Sequence, residues 1–194
     1  MDERVDASSG RWLTVANGLT AVRLALAPAC ASAIVAGLVG QAFIFFWLAV
    51  ATDLTDGLVA RRRGEESALG ALLDHSTDAL FVSFGLAALA MRGEVPALLP
   101  LLVVLAFIQY ALDSRALAGY PLRTSMVGRH NGIAYYVLLG TPVVRDTLSL
   151  GWPSATWVEA IGWLLVATTL ISMADRAIAW VVNRRALDSR GGGR

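Results

Sequence analysis

Four aspartates, Asp53, Asp56, Asp74 and Asp78, fall within two apolar stretches that are otherwise fit to cross a membrane. A charged side chain at the centre of a membrane helix costs about 2.5–3.5 kcal/mol on an insertion scale. Any fold for this chain must therefore gather the four around something that compensates them. Their spacing is regular: the segment reads DxxDGxxAR, eight residues, then GxxxDxxxD. At ~100° per residue, Asp53, Asp56, Gly57 and Ala60 share one stripe of a helix, and Gly70, Asp74 and Asp78 share one stripe of the next. A short turn around Arg63-Gly64-Glu65-Glu66 makes the two helices antiparallel neighbours. The two stripes can then face each other across one cavity.

The rest of the chain agrees with a membrane setting. Its 194 residues are 56% hydrophobic and 16% charged, and the mean hydropathy is +0.60, which places it outside the usual soluble range. Six apolar spans are expected at 16–39, 42–62, 67–91, 95–112, 126–144 and 154–182. Each is about long enough to cross ~30 Å of hydrocarbon at ~1.5 Å per residue. The breakers lie at 39–41, 92–94, 119–121 and 151–153. The expected fold is thus all-α, a polytopic membrane protein with six transmembrane helices. Residues 1–15 form a cytoplasmic or interfacial segment, 16–184 the membrane domain and 185–194 a flexible tail.

All sixteen basic residues are arginine, and their distribution sets the orientation. Arg4, Arg11, Arg61, Arg62, Arg63, Arg115, Arg123, Arg129, Arg184, Arg185, Arg190 and Arg194 fall on the side of the N-terminus, whereas only Arg92 and Arg145 fall opposite. Both termini are therefore expected in the cytoplasm, and the protein in a bacterial inner membrane. The opening residues make a poor secretory signal, because Asp2, Glu3 and Asp6 precede the first apolar run and Asn17, Thr20 and Arg23 interrupt it. Cys30 is the single cysteine and is read as a packed, inert thiol. Trp12, Trp152 and Trp157 are read as interfacial anchors.

Four crowded carboxylates repel one another, and buried together they would resist ionisation. An ion-pair network with arginine is the plainer remedy, but Arg23 is the only arginine clearly set within the early helices. Two divalent cations are the expected one, and an all-oxygen ligand set suits Mg²⁺ or Mn²⁺. Such a pair, ~3.5–4 Å apart, favours in-line displacement at phosphorus. Asp53 lies about eight residues from Arg61 and Asp78 about eleven from Ser67, or roughly 12–17 Å at the helical rise. That depth keeps the cluster within the cytoplasmic leaflet. Gly57, Ala60 and Gly70 clear space for a base or diphosphate near the backbone, and Arg61 offers a forked cation for phosphate oxygens.

Asp53, Asp56, Gly57, Ala60, Arg61, Gly70, Asp74 and Asp78 together resemble the signature of the CDP-alcohol phosphotransferases, and Asn17, Thr20 and Arg23 resemble that family's upstream NxxTxxR element. The resemblance implies six helices and transfer of a phosphatidyl group from CDP-diacylglycerol to an alcohol, with release of CMP, in phospholipid biosynthesis. It implies that Asp53, Asp56, Asp74 and Asp78 ligate two metals and that Asp78 is the general base. Thr20, Asp53, Gly57, Ala60, Arg61 and Gly70 would contact the CDP moiety. A homodimer surrounded by membrane lipid is also implied, and no nucleic-acid partner is expected.

The acceptor is expected to be glycerol 3-phosphate, since the chain most resembles the phosphatidylglycerophosphate synthases in length and in residues 17–28. Its Leu73-Asp74-His75-Ser76-Thr77-Asp78 segment lacks the proline and lysine common there, so inositol phosphate and neutral alcohols stand as alternative acceptors. Arg115, Arg123 and Arg129 are candidates to grip an acceptor phosphate, or else ordinary anchors to anionic lipid. His75 is expected to point ~100° away from the aspartate stripe, outside the ligand set. An intramembrane cation transporter is the alternative of another class, but the outward residues 43–50 are almost wholly apolar.

Overall fold

The computed structural model describes residues 15–63, 68–113 and 126–191. Among these lie six helices and no strand: α1 (Val15–Val35), α2 (Val39–Arg63), α3 (Ala68–Met91), α4 (Leu98–Asp113), α5 (Met126–Thr147) and α6 (Ala155–Gly191). The all-α expectation holds, with informative differences at the boundaries. The first turn forms at Gly37 rather than at residues 39–41. Gly37 takes φ +70°, its N–H donates to Ile34 O at 3.1 Å, and the Leu38 N–H donates to Ala33 O at 2.9 Å. A left-handed residue with this pair of bonds is an efficient helix stop, so Gly40 is left inside α2. Gly93 ends α3 the same way, at φ +73°. Ser149 does so after α5 at φ +53°, two residues before the expected break at Gly151. Helix α6 continues to Gly191, past the expected end near Val182, because Arg184, Arg185, Ala186 and Leu187 are all strong helix formers.

The bundle is built around α1, which packs against α2 and α3; α5 closes on α2, α3 and α6, and α4 bridges α3 and α6. Ala27, Cys30 and Ala33 on α1, with Ala42 and Ala49 on α2, form small-residue faces that allow close helix approach. Cys30 is buried, as the sequence suggests, with its thiol against Ala42 O. The tightest crossings use glycine. A Cβ on Gly140 would sit 2.6 Å from the Phe46 ring, and one on Gly85 would sit 2.5 Å from Leu139.

One helix among the described residues, α6 over Ala155–Ala179, is long and apolar enough to cross a membrane by length and composition. The apolar parts of three others are shorter, at Thr20–Val35, Val39–Thr55 and Leu98–Leu112. Arg23, Asp53, Asp74 and Asp78 interrupt α1, α2 and α3, and α4 has only 16 residues. Large apolar side chains are nonetheless exposed all around the bundle, among them Ile44, Leu48, Leu101, Ile133, Val137 and Ile171. Helical hydroxyls at Thr52, Thr55, Thr77, Ser83 and Thr141 turn back onto carbonyls of their own helix, which satisfies them without water.

At the end of the bundle away from the aspartates, four charges close on one another. Arg145 Nη2 lies 2.7 Å from the buried Glu94, and Arg92 Nε lies 2.9 Å from the same carboxylate. Asp146 joins both arginines, at 2.8 Å from Arg145 and 3.2 Å from Arg92. The set ties the α3–α4 connection to the end of α5, and Arg92 Nη1 also reaches Ile34 O at the end of α1.

The contact at Gly140 gives a direct test of this packing. Gly140→Val is expected to displace Phe46 and to cost about 1–3 kcal/mol, read as a lower unfolding midpoint of the purified protein in detergent. An unchanged midpoint would contradict the close α2–α5 crossing.

Candidate active site

The buried stripes of three helices run from apolar packing into charge. On α1, Ala33, Cys30 and Ala27 lead to Arg23; on α2, Ala42, Phe46 and Ala49 lead to Asp53; on α3, Leu89, Leu86 and Val82 lead to Asp78 and Asp74. Each step is three or four residues, so helical periodicity alone delivers these side chains to one place. Arg23 is fully buried. Its Nη1 lies 2.7 Å from Asp78 Oδ1, 2.9 Å from Asp74 Oδ1 and 3.1 Å from Asp53 Oδ1, and it donates hydrogen bonds to Asp78 and Asp74. One cationic nitrogen is therefore shared by three carboxylates from two helices. The carboxylates thus have an arginine partner, whereas the sequence favours metal over an ion-pair network.

Asp78 is held a second time. The Tyr136 hydroxyl donates to its Oδ1 at 3.1 Å, and the Tyr136 ring stacks on Phe81 with centroids 6.0 Å apart. His75 is closer to the cluster than its sequence position suggests, because its Nδ1 approaches Asp74 Oδ2 at 3.8 Å. Asp74, His75 and Asp78 each offer a ligand atom, and these atoms lie within 4.8 Å of one another.

This donor set fits a divalent cation. Three carboxylate oxygens already converge on one positively charged point, and they are hard oxygen ligands of the kind Mg²⁺ and Mn²⁺ favour. Their side chains remain between a quarter and a third exposed, so an ion has a route to them from the side away from Arg23.

That side is a cavity of about 490 Å³ between α3, α4, α5 and α6, a size that takes a whole small-molecule ligand. Asp53, His75 and Asp78 line one end. Arg129 lines it too, and so does Arg176. Arg115 and Arg123 lie outside the described residues. Thr20 sits half-buried one turn before Arg23 on α1, and Gly70 is exposed one turn before Asp74 on α3. Asp56, Gly57, Ala60 and Arg61 continue the helical backbone of α2 beyond Asp53, and their side chains fall outside the described residues.

Sequence reasoning missed Tyr136, Gln109, Tyr110 and Arg176 at this cavity. They sit on helices read only as apolar spans, and their contacts with other helices appear only when the bundle closes. An arginine in the sixth span was the one available signal.

The Arg23 contacts predict a metal-linked stability. Arg23→Gln is expected to destabilise the metal-free protein by about 3–5 kcal/mol, since it leaves three facing carboxylates uncompensated. Added Mn²⁺ is expected to recover a larger share of the unfolding midpoint in this variant than in the parent. Equal midpoints for the two proteins in chelator would contradict the shared ion pair.

Residues 13–181 match the sequence profile of the CDP-alcohol phosphatidyltransferases. Two mycobacterial proteins, from Mycobacterium bovis and Mycobacterium tuberculosis, each named "Putative cardiolipin synthase", are 32% identical to the chain over 167 residues, covering 80% of it and 75% of their own length. No solved structure matches. Members of the matched family are membrane proteins that use divalent metals. With Asp53 of α2 and Asp78 of α3 lining one cavity, the chain belongs to the CDP-alcohol phosphatidyltransferase family, transferases of substituted phosphate groups in phospholipid biosynthesis.

Proposed function

We propose that this protein moves a phosphatidyl group from CDP-diacylglycerol to a hydroxyl of a glycerol that carries a phosphate, releasing CMP at the cytoplasmic face of a bacterial inner membrane. The observation that carries the proposal is the convergence of Asp53, Asp74 and Asp78 at the end of a cavity large enough for an acceptor. Exposed apolar side chains on all sides of the bundle support six helices embedded in lipid. A homodimer is part of the same reading by family resemblance.

In this reading Asp53, Asp56, Asp74 and Asp78 hold two Mg²⁺ or Mn²⁺ ions, with His75 within reach of the same place. When bound, the ions supply charge stabilisation for the diphosphate and lower the pKa of an adjacent hydroxyl. The protein's own groups do the rest. Thr20, Gly57, Ala60, Arg61 and Gly70, with Asp53, receive the CDP end, the small residues by leaving room and Arg61 by a forked contact to phosphate oxygen. Asp78 faces the cavity and takes the proton of the attacking hydroxyl. The acceptor oxygen forms a bond to the lipid-side phosphorus as the diphosphate P–O bond breaks, and that electron pair leaves on CMP. Tyr136 orients Asp78 by its hydrogen bond, and Arg23 keeps the carboxylates together.

Two acceptors share this chemistry. Glycerol 3-phosphate is suggested by the resemblance to phosphatidylglycerophosphate synthases. A glycerophosphate already attached to lipid is suggested by the name of the mycobacterial relatives, because a phosphatidyl transferase that makes cardiolipin must use the headgroup hydroxyl of phosphatidylglycerol. Arg129, with Arg115 and Arg123, is the candidate grip on the acceptor phosphate in either case.

The test is CMP release from CDP-diacylglycerol by the purified protein in lipid, with Mg²⁺ or Mn²⁺, against glycerol 3-phosphate, phosphatidylglycerol, inositol phosphate, inositol and serine. Release is expected only with metal, and with a glycerophosphate acceptor. Asp78→Asn is expected to lower turnover by about 10²–10⁴-fold while still binding CDP-lipid. Full turnover in that variant would remove Asp78 from the role.

A further inference from the structure

The cavity has a further wall, beyond the aspartates, that the chemistry described so far does not use. Gln109 and Tyr110, adjacent on α4, both line it. The Gln109 Nε2 donates to Met173 O on α6 at 2.9 Å, which fixes the amide and leaves Oε1 as an acceptor. That oxygen is buried and has no hydrogen-bond partner among the described residues. The Tyr110 hydroxyl is in the same condition, in a side chain only 7% exposed. A buried polar atom without a partner costs about 1–3 kcal/mol, and two on one cavity wall call for a ligand that supplies both bonds.

The Tyr110 ring is fixed from two sides. His75 stacks on it with centroids 6.0 Å apart, and the Arg176 guanidinium lies over it at 5.2 Å. Arg176 is itself a wall residue, so a cation is held beside the two polar atoms. Val82, Val103, Phe107 and Met173 add apolar lining to the same cavity. The wall thus presents one acceptor, one donor and one cation to a ligand whose reacting hydroxyl must reach Asp78.

We propose that Gln109, Tyr110 and Arg176 form the subsite that selects a glycerophosphate acceptor, with Gln109 Oε1 accepting from the glycerol hydroxyl that does not react. The Tyr110 hydroxyl donates to a phosphate or ester oxygen, and Arg176 meets the phosphate charge. Free glycerol 3-phosphate and the headgroup of phosphatidylglycerol both carry two free hydroxyls and one phosphate, so both satisfy the wall. An amino alcohol does not, because its ammonium would face Arg176 and it has no second hydroxyl for Gln109. This inference rests on the phosphatidyl transfer proposed above and adds the groups that choose its acceptor.

The experiment uses the full chain in lipid vesicles with CDP-diacylglycerol and Mn²⁺, in one arm with glycerol 3-phosphate and in the other with phosphatidylglycerol. For whichever source the parent protein uses, Gln109→Leu and Tyr110→Phe are each expected to raise the acceptor KM about ten-fold, with kcat changed less than about three-fold. The CDP-diacylglycerol KM should stay within about two-fold. Arg176→Gln should raise the acceptor KM further, and Arg176→Lys should restore part of it. An acceptor built on 1,3-propanediol, which lacks the second hydroxyl, should lose about ten-fold with the parent protein and nothing more with Gln109→Leu. Unchanged acceptor KM values in the variants, with CMP release intact, overturn the subsite and leave the transfer reaction standing. Use of serine or inositol in place of both glycerophosphates also overturns it. No CMP release by the parent protein with any acceptor overturns both readings together.

Discussion

The contact between Arg23 and three carboxylates is the constraint from which the architecture follows. Opposed charges a few ångströms apart attract strongly where water is scarce, and three like charges alone would push α2 and α3 apart. A guanidinium from α1 turns that repulsion into a cross-link among three helices. The small residues along α1 and α2 serve the same end, since only closely packed backbones allow one arginine to touch Asp53 and Asp78 at once. Removing the cation or widening the helix spacing would each undo the other's purpose.

The site is consequently two-sided. Arg23 and the packed face of α1 close it on one side, while on the other the carboxylates border the cavity among α3, α4, α5 and α6. The closed side gives the charges a fixed geometry, and the open side lets reactants approach. Asp78 belongs to both, because the one carboxylate that accepts from Arg23 and Tyr136 also lines the cavity.

Much of this was legible in the chain. The aspartate spacing set Asp74 and Asp78 on one stripe of α3, the apolar runs marked six helices, and the family followed from eight positions, but among the described residues α2 and α3 meet mainly through α1 rather than as direct neighbours. What stayed hidden depends on which helix lies beside which. Arg23 read as a residue of an upstream motif and as the one arginine set within the early helices, and the packing of α1 against both α2 and α3 makes it the partner of their charges. Tyr136 and Tyr110 read as span residues, and no periodicity says that one reaches Asp78 while the other faces His75. Turn positions were misjudged for a local reason: Gly37 and Gly40 look alike in sequence, but only the first takes the left-handed conformation that ends α1. At Ser149 the signal was weaker still, since the stop is made by a residue that rarely adopts that backbone.

The four-charge knot of Arg92, Glu94, Arg145 and Asp146 gives the bundle a rigid base. It fastens the ends of α1 and α5 and the α3–α4 connection at one level of the molecule. Helices pinned at one end can part only at the other, like the leaves of a clip. For the lipid donor proposed above, a widening that admits it sideways then falls at the level of the aspartates, and the opposite face stays shut.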